Sequence, residues 1–562
     1  VYDVISGEES VTLPQKVQRV SERYILSAWS DGIAEYTPGS EYFFNSRNYD
    51  IIEAKWVRDE NYAKAVSVDE MKEAAANPAL TSELGKITDT NKLSTGSVIN
   101  VSVKEGTTVS KINDKRLFGV GHEIFDDKLV APDGKLTGAY INAARNMGKI
   151  PVSRWGGDST NLVNLVNNAC VPGERTASVN LNTGKTVKNG LDYGPVEFIK
   201  AALANNPDAE FVFTVSMLTM TPQDTVNFLH FLTDESGEWA EKRKSTGIEN
   251  PVNVIGFELG NEVYHDVFKT PYVENTELND NLTFYYGENP VFADNSPLST
   301  KETAERYAQT ALGHIRAVRN VNAQIELMPV LVNNDVINDD YDVSGAVWNR
   351  VIAAKLGKYV NSAVLHFYSG TSVLAEKSEN DVMDKIQQMF REETGFTKKI
   401  KFAVTEHALM SSNQQVSFTA MRAVLCEGLF MNCMLARDDI LLANYYNFTH
   451  TQNWAYIRDI DGGYVPTGIA DFYDLYKSML GDRTVRYFYV NDIDENISPR
   501  EETNLAVMAK GGDELTIIIT NSVSRAYTEY KNAEYNFTFE NEFIPVSKTV
   551  FTAPNYFSYK AG

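Results

Sequence analysis

Two glutamates stand at the ends of short apolar segments that lie far apart in the chain. Glu262 ends the segment VIGFELGNE, which begins at Val254, and Glu406 ends the segment KFAVTE, which begins at Lys401. Apolar and small residues fill both segments, which favours buried strands of a parallel sheet. A pair of carboxylates on rigid strand ends is what cleavage of a glycosidic bond requires. The alternative is that each glutamate is an ordinary solvated carboxylate.

Other polar residues follow apolar segments in the same way. His366 and Tyr368 share one face of the segment AVLHFY, since side chains two residues apart on a strand point the same way. We predict that Tyr368 donates a hydrogen bond to Glu406 and that His366 either joins the site or is a satisfied core residue. Arg154 follows a strand predicted over 149–153, and it either orients a carboxylate of the site or braces the sheet.

The remaining candidates for contact with a substrate lie on the loops after the first, second and last predicted strands. Glu123 is a candidate acceptor for a sugar hydroxyl, and Trp155 is a further candidate at the end of the second strand. Tyr446, Asn447 and Trp454 follow the last strand, where aromatic faces are suited to stacking on sugar rings. Packing of the loops is the alternative role for these three residues.

Elements that would position these residues alternate along the middle of the chain. Between 116 and 448, eight segments typical of strands alternate with segments typical of helices. This order is that of a (β/α)8 barrel, an α/β fold in which the ends of the parallel strands carry the chemistry. We therefore assign residues 114–482 to a TIM barrel and expect both glutamates at the C-terminal ends of its strands.

The ends of the chain have a different pattern. Residues 483–562 alternate apolar and polar positions between turn signals, which is typical of an antiparallel β-sandwich. The stretch 96–113 alternates in the same way, so we predict that it contributes a strand to that sandwich. Residues 1–95 show no repeat and no catalytic pattern, and we assign them to an N-terminal extension or accessory module.

Composition and charge limit the partners of the chain. The 562 residues carry a formal net charge of −23, which disfavours nucleic acid and anionic membranes. An acidic polysaccharide stays open, because a basic cleft can outweigh the overall field. The sequence contains no apolar run long enough to span a bilayer. We expect a secreted, periplasmic or cell-surface protein whose signal peptide has been removed, because the chain starts at Val1.

Cofactor chemistry has no support in the sequence. Its 3 cysteines show neither a disulfide framework nor a metal-ligand spacing. We therefore predict no cofactor and no metal.

Four motifs, FGVGHE, RWGGDSTN, LGNE and VTEH, resemble the retaining glycoside hydrolases of clan A. The resemblance is nearest to the α-L-arabinofuranosidase and heparanase/β-glucuronidase types, and it covers residues 97–562. It implies a barrel with an appended sandwich, Glu262 as the general acid/base and Glu406 as the nucleophile. It also implies that Asn261 hydrogen-bonds the 2-hydroxyl of the sugar.

Three functions compete for this pattern. The first is a retaining glycoside hydrolase that acts on a polysaccharide or oligosaccharide through a double displacement. The second is a carbohydrate-binding protein without catalysis on the same barrel, which turnover of aryl glycosides would exclude. The third is a barrel lyase or aldolase, which would need a Schiff-base lysine or a metal cluster at the strand ends. The sequence has neither at the predicted strand ends.

Overall fold

The computed structural model describes most of the central barrel and parts of both ends of the chain. The described residues are 10–13, 24–30, 34–43, 53–58, 98–111, 114–131, 134–172, 175, 178–179, 186–188, 191–264, 300–333, 345–369, 375–409, 421–449, 454–460, 463–489, 503–511, 513–521, 534–543 and 545–546.

Strands and helices of this part are numbered in chain order. The strands are β1 (Ser10–Thr12), β2 (Tyr24–Ser30), β3 (Glu35–Tyr36), β4 (Glu41–Phe43), β5 (Glu53–Arg58), β6 (Val98–Lys111), β7 (Gly119–His122), β8 (Val152–Trp155), β9 (Ser178–Val179), β10 (Thr186–Lys188), β11 (Glu210–Val215), β12 (Val254–Leu259), β13 (Glu326–Pro329), β14 (Ser362–Ser369), β15 (Lys401–Leu409), β16 (Ile440–Tyr445), β17 (Ile457–Ile460), β18 (Gly463–Pro466), β19 (Arg483–Tyr489), β20 (Thr503–Lys510), β21 (Glu514–Asn521) and β22 (Glu534–Thr538). The helices are α1 (Gly138–Asn146), α2 (Leu165–Asn168), α3 (Pro195–Asn205), α4 (Pro222–Thr233), α5 (Glu238–Ser245), α6 (Thr300–Val321), α7 (Gly345–Leu356), α8 (Ala375–Thr394), α9 (Met421–Leu435) and α10 (Gly468–Ser478).

Eight parallel strands form a closed barrel, as the sequence predicts. Their order is β13-β12-β11-β8-β7-β16-β15-β14. A parallel bridge between Val330 and Val364 joins the two outer strands and closes the sheet. The backbone N–H of Leu331 donates to the carbonyl of Val364 across this closure, at 2.9 Å. The predicted TIM barrel is therefore confirmed.

Burial on both faces explains why these segments read as continuous apolar runs. Phe211, Val212 and Phe213 of β11 are all fully buried, since one face meets the barrel interior and the other meets the surrounding helices. The helices begin where the sequence signals a start. At α4, for example, the Thr221 hydroxyl accepts from the backbone of Asp224, and the Asp224 carboxylate accepts from the backbone of Thr221.

The second strand of the barrel begins later than predicted. It runs from Val152 to Trp155 rather than over 149–153. Arg154 and Trp155 therefore belong to the strand itself and point to opposite sides of the sheet. This difference decides the roles of the two residues, because only one of them can face the barrel interior.

A five-stranded sheet is appended to the barrel, in the order β21-β20-β19-β6-β22. Strand β6 precedes the barrel in the chain and lies between C-terminal strands β19 and β22. Its pairing with β22 is parallel, so the sheet is mixed and not purely antiparallel as predicted. One face packs on helix α9 through Ala506, Met508 and Ile518. The described residues supply one sheet of the predicted sandwich, and its second sheet stays a prediction.

The N-terminal part contains a three-stranded sheet, β3-β2-β5, and a strand pair, β1-β4. Trp29 and Tyr42 are its most deeply buried aromatic side chains among the described residues. The predicted boundary at residue 95 lies outside the described residues and stays a prediction. None of the helices in the described ranges is long and apolar enough to cross a membrane.

Candidate active site

Glu262 lies just beyond strand β12, in a tightly constrained turn. Gly260 has a φ of 86°, and a Cβ there would lie 2.6 Å from Val263. Glu262 itself has a φ of 42°, which is left-handed and costly for a residue with a side chain. Asn161 holds the backbone between them, because its side chain accepts from the N–H of Asn261 at 2.8 Å and donates to the Asn261 carbonyl at 2.6 Å. Strain of this kind persists where the surrounding structure imposes it, which is typical of functional sites.

Among the described residues, two side chains donate hydrogen bonds to one oxygen of the Glu262 carboxylate. His366 Nδ1 lies 2.8 Å from Oε1, and the Tyr264 hydroxyl donates to the same oxygen at 3.3 Å. The side chain is 19% exposed, compared with 6% for that of Glu406. Glu262 is therefore the glutamate that a bound molecule can reach from solvent.

Glu406 lies on strand β15 and receives a donor on each oxygen. Arg154 Nη1 donates to Oε1 at 2.7 Å, and the Tyr368 hydroxyl donates to Oε2. Burial raises the pKa of Tyr368 well above its usual value, and the charge of Glu406 adds to the effect, so Tyr368 keeps its proton and remains a donor. One oxygen of Glu406 lies within 4.8 Å of an oxygen of Glu262. The structure thus brings together the two glutamates predicted from the sequence.

A bulge in strand β15 aims these side chains. The pairing with β14 matches Leu365 with Val404 and then His366 with Glu406, so Thr405 is an extra residue. Bulges re-aim side chains next to active sites. Here Thr405 and Glu406 both contact interior groups: the Thr405 hydroxyl donates to Glu258 at 3.2 Å and lies 3.0 Å from His366 Nε2.

Arg154 donates hydrogen bonds to both buried carboxylates, Glu258 and Glu406. Its Nε and Nη2 donate to Glu258 at 2.7 and 3.0 Å, and Nη2 also donates to the Asn261 side chain at 2.6 Å. Burial alone would raise the pKa of Glu258, but the Arg154 charge outweighs it and lowers that pKa to about 2. Burial likewise lowers the pKa of Arg154, and the charges of Glu258 and Glu406 outweigh it and raise that pKa. This fully buried ion pair stays charged at neutral pH.

His366 is a buried cation among carboxylates. Burial lowers its pKa, but the charge of Glu406 and the hydrogen bonds with Glu258 and Glu262 outweigh burial and raise the pKa to about 10. Both ring nitrogens therefore carry protons at neutral pH and act as donors. Glu262, His366 and Glu406 converge closely enough to suggest a cation site. A proton already occupies Nδ1, however, and the side chains are arranged as a hydrogen-bonded array.

Asn261 has a fixed orientation. Its side-chain oxygen accepts from Arg154 and from the backbone N–H of Gly157, the latter at 3.2 Å. Its amide nitrogen donates to Asp158 at 2.9 Å. An amide nitrogen has two hydrogens, so a second donor remains for another group. Asp158 itself is exposed at the rim of the site.

Glu123 and a group of aromatic residues border the other side of the site. The Tyr446 hydroxyl donates to Glu123, and the rings of Tyr446 and Trp454 lie 5.9 and 6.1 Å from that of Tyr368. Burial raises the pKa of Glu123 well above its usual value, and the nearby charge of Glu406 raises it further against the opposing hydrogen bond from Tyr446. These effects favour the uncharged form of the Glu123 carboxyl group. Gly157 leaves room for its carboxyl group, since a Cβ there would overlap it.

Two predicted site residues are not brought to this cluster. Trp155 is fully buried on the outer side of β8, where its ring lies 5.8 Å from Tyr193 and 5.5 Å from Phe198. Asn447 is also fully buried, and its backbone N–H donates to the carbonyl of Trp454. Neither position favours contact with a substrate, and for both residues that role stays a prediction.

Thr405, Tyr264 and Asp158 belong to the cluster although sequence reasoning did not select them. Alternation along a strand places Thr405 and Glu406 on opposite faces, and the bulge that overrides alternation has no signal in VTEH. Tyr264 lies two residues after Glu262, and Asp158 lies in the motif RWGGDSTN together with Arg154. Their closeness to selected residues is the signal that could have identified them.

Several solved structures share this architecture. The family 51 α-L-arabinofuranosidase of Bifidobacterium longum superposes with a TM-score of 0.60 at 14% sequence identity, covering 79% of this chain and 88% of its own. The α-L-arabinofuranosidase of Thermotoga maritima, solved with arabinose, gives a TM-score of 0.57 at 16% identity, with coverage of 79% and 88%. The family 51 arabinofuranosidase of Xanthomonas axonopodis pv. citri gives a TM-score of 0.57 at 15% identity, with coverage of 83% and 92%.

The likeness to these glycoside hydrolases is one of fold. No protein-family model matches the chain, and no curated protein matches it in sequence. The resemblance to arabinofuranosidases that the sequence motifs predict is therefore confirmed in the architecture of the chain, and it is carried by the structure rather than by overall sequence identity.

Proposed function

We propose that the protein is a retaining glycoside hydrolase in which Glu406 is the nucleophile and Glu262 is the general acid/base. One observation carries this proposal: oxygens of the two carboxylates lie within 4.8 Å of each other at the C-terminal ends of barrel strands. Carboxyl groups about 5–5.5 Å apart suit a double displacement, whereas an inverting enzyme keeps them about 6.5–9.5 Å apart to admit a water molecule.

The first step transfers the sugar to the enzyme. A Glu406 oxygen bonds to the anomeric carbon while the bond from that carbon to the leaving oxygen breaks. Glu262 gives its proton to the leaving oxygen, so the alcohol departs neutral. Glu406 becomes a neutral ester and Glu262 becomes a carboxylate. His366, which is cationic and 2.8 Å away, stabilises the new charge on Glu262.

The second step returns the enzyme to its starting state. Glu262 takes a proton from water, the water oxygen bonds to the anomeric carbon, and the ester bond breaks with its electron pair returning to Glu406. Arg154 stays in place throughout, because Glu258 pairs with it at 2.7 Å whether or not Glu406 carries a charge. One water is consumed, and both glutamates recover their original protonation.

The charges of the site favour an uncharged sugar. Among the described residues that form it, the cations Arg154 and His366 are already paired with carboxylates. Asp158 adds a further carboxylate at the rim. A uronic acid would bring another negative charge into this field without a free partner, which costs several kcal/mol. The proposed substrates are therefore neutral glycosides within a polysaccharide or oligosaccharide. The first candidates are α-L-arabinofuranosides, because the structural neighbours are arabinofuranosidases.

The test of this function is the stereochemistry of hydrolysis, followed by proton NMR. The first-formed sugar should keep its anomeric configuration. Glu406→Ala should lose turnover, and added azide should restore part of it on an activated aryl glycoside and yield a glycosyl azide of inverted configuration. First appearance of the inverted sugar in the wild-type reaction would refute the double displacement. Binding of glycosides without any turnover would favour the carbohydrate-binding alternative.

A further inference from the structure

We propose that Tyr264 is a positioning residue for the acid/base, and that its hydroxyl, together with His366, holds Oε1 of Glu262 as the accepting oxygen of the carboxyl group. This inference rests on the proposed function. The Tyr264 hydroxyl donates to Oε1 of Glu262 at 3.3 Å, and His366 Nδ1 lies 2.8 Å from the same oxygen. A protonated carboxyl group has one accepting oxygen and one hydroxyl oxygen. Because Oε1 receives both donors, it is held as the accepting oxygen of the carboxyl group.

The ring of Tyr264 is held by the helices outside the barrel. It meets the Trp348 ring edge to face, with centroids 6.0 Å apart. Trp348, on α7, is buried, and its indole N–H donates to the carbonyl of Val330 at 2.9 Å. Tyr307, on α6, stacks on the same indole at 5.3 Å, and its hydroxyl donates to the Leu259 carbonyl at 2.8 Å. The position of the Tyr264 hydroxyl is therefore set by packing that is independent of the carboxylate.

Tyr264 remains a donor throughout the reaction. Burial raises its pKa well above the usual value, and the charges of Glu262, Glu406 and Asp158 raise it further. The titratable groups that face Glu262 come from three elements: His366 from β14, Glu406 from β15 and Tyr264 from its own turn. Tyr264 is the neutral donor of this set, so its removal changes the hydrogen bonding of Glu262 without removing a charge.

The loss of this hydroxyl has a predictable sign. A donor on Oε1 stabilises the carboxylate more than the acid, since hydrogen bonds to charged groups are the stronger ones. Without it, Glu262 should keep its proton to a higher pH, and the alkaline limb of the activity profile should move upward. His366 would then be the remaining described side-chain donor on Oε1, so the carboxyl group would be held less firmly in the orientation that serves the leaving oxygen.

The experiment compares Tyr264→Phe with Tyr307→Phe in the full chain. Both variants lose one hydroxyl and keep a ring against Trp348, but the Tyr307 hydroxyl hydrogen-bonds to backbone groups of Leu259 and Val330 rather than to the Glu262 carboxylate. Aryl glycosides that share one glycone and differ in the acidity of the leaving group are hydrolysed across a range of pH. Far-UV circular dichroism and melting temperatures confirm that each variant is folded.

For Tyr264→Phe we expect kcat/KM on a poor leaving group to fall about tenfold, as for a lost hydrogen bond to a charged group. On a good leaving group kcat/KM should fall about twofold or less, and the alkaline limb of the pH–activity profile should move to higher pH. Tyr307→Phe should lower the melting temperature without changing the leaving-group dependence or the limb. Equal losses on all substrates with an unmoved limb would overturn the inference. If Glu262→Ala itself lacked leaving-group dependence, the proposed function and this inference would both fall.

Discussion

At the level of single residues, Glu262 and Glu406 differ in their hydrogen-bond donors, and this difference separates their roles. Glu406 has Arg154 on one oxygen and Tyr368 on the other, so its charged form is held on both sides. Glu262 receives both of its described side-chain donors on one oxygen and is the more exposed of the two. A nucleophile must be ionised and fixed, whereas an acid/base must exchange a proton with bound molecules and water.

Removal of the acid/base should affect substrates according to how much their leaving group needs a proton. Glu262→Ala should nearly abolish cleavage of natural glycosidic links, whereas an aryl glycoside with a good leaving group should still glycosylate Glu406. Hydrolysis of that intermediate should then be slow, because no base activates water. Stopped-flow release of the phenol should show a burst followed by a slow steady state. Equal loss of both substrate classes would point to another acid, first of all Glu123, whose pKa is raised by burial.

His366 gives the fold a pH dependence that can be measured. Its pKa is about 10 in the folded protein, as compared with about 6.5 for a free histidine. A raised pKa stabilises the fold fully below the unfolded value, and this contribution is lost as the pH rises through the folded value. The difference in free energy of unfolding between wild type and His366→Gln should therefore be largest below about pH 6.5, and it should shrink as the pH rises toward 10.

Urea denaturation at several pH values measures this difference. His230→Gln is the control, because His230 pairs with Asp234 in a partly exposed position outside the site, where solvent screens the interaction. A constant difference for His366→Gln across the whole range would contradict the assignment of His366 as a buried cation.

The residues that could be predicted from the sequence are those whose role follows from position at a strand end. Glu262, Glu406 and Tyr368 are predicted because each follows an apolar run, and Tyr368 contacts Glu406 as expected. Thr405 could not be predicted, since its role depends on a bulge that alternation does not reveal. The burial of Trp155 depends on where β8 ends, because the strand continues through Trp155 and alternation then places its side chain on the face opposite that of Arg154.

At the level of elements, the turn after β12 shows how the fold positions Glu262. Gly260 adopts a φ of 86°, and a Cβ there would lie 2.6 Å from Val263 and 3.2 Å from Met217, so a glycine lets the chain turn directly into Asn261 and Glu262. Contacts of this kind, between residues that are distant in the chain, determine where a strand of the barrel ends. The local sequence does not reveal them. This explains why the type and order of the barrel elements were predictable, whereas the local geometry at Gly260 and Thr405 was not.

We expect Gly260→Ala to reduce both stability and activity. The substitution adds a Cβ in a left-handed conformation, which costs about 1–3 kcal/mol, and the Cβ would lie 2.6 Å from Val263 and displace the turn that carries Glu262. Gly247→Ala is the matched control. Gly247 has a φ of 88°, but a Cβ added there would meet only the flexible end of the Lys200 side chain, with Nζ at 3.5 Å and Cε at 3.6 Å.

Thermal unfolding and kcat/KM separate the two effects. Both variants should melt at a lower temperature than the wild type, because both carry a side chain at positive φ. Only Gly260→Ala should lose activity in the temperature range where it is folded. Full activity of folded Gly260→Ala would show that the turn does not position Glu262.

At the level of the whole molecule, the barrel and the appended sheet form one continuous arrangement. Helix α9 packs against the sheet through Asn432, whose side chain donates to Thr520 at 3.2 Å, and Ser110 of β6 donates to the carbonyl of Leu435. Because β6 enters the sheet before the barrel begins, the sheet cannot form until both ends of the barrel segment have come together. The alternating pattern of 96–113 predicted a strand in that sheet, but the parallel partner of β6 could not be predicted from alternation alone.

The overall charge of −23 and the charges of the site act in the same direction on a substrate. A pair of aryl glycosides tests this. A xyloside and a glucuronide of the same anomeric configuration differ by the carboxylate at C5, and a neutral glycone should react at least about 100-fold faster than its uronate analogue, since juxtaposed like charges cost several kcal/mol. If the enzyme accepts a different neutral glycone, the comparison is made with the corresponding uronide. Added salt should partly reduce this difference in rate, because salt screens the exposed charges more than the buried ones.

Two conservative variants assign the discrimination to particular groups. Asp158 is exposed at the rim of the site, so Asp158→Asn removes a charge that an incoming uronate would meet. This variant should reduce the difference in kcat/KM between the neutral glycoside and the uronide. Burial raises the pKa of Glu123 well above its usual value and so favours its uncharged form. Glu123→Gln should therefore change the difference in kcat/KM between the two glycosides less than Asp158→Asn does. Competition kinetics with the two glycosides in one reaction give the ratio of kcat/KM directly. Faster hydrolysis of the glucuronide by the wild type would contradict the neutral-sugar assignment and would require a cation at the site from outside the described residues.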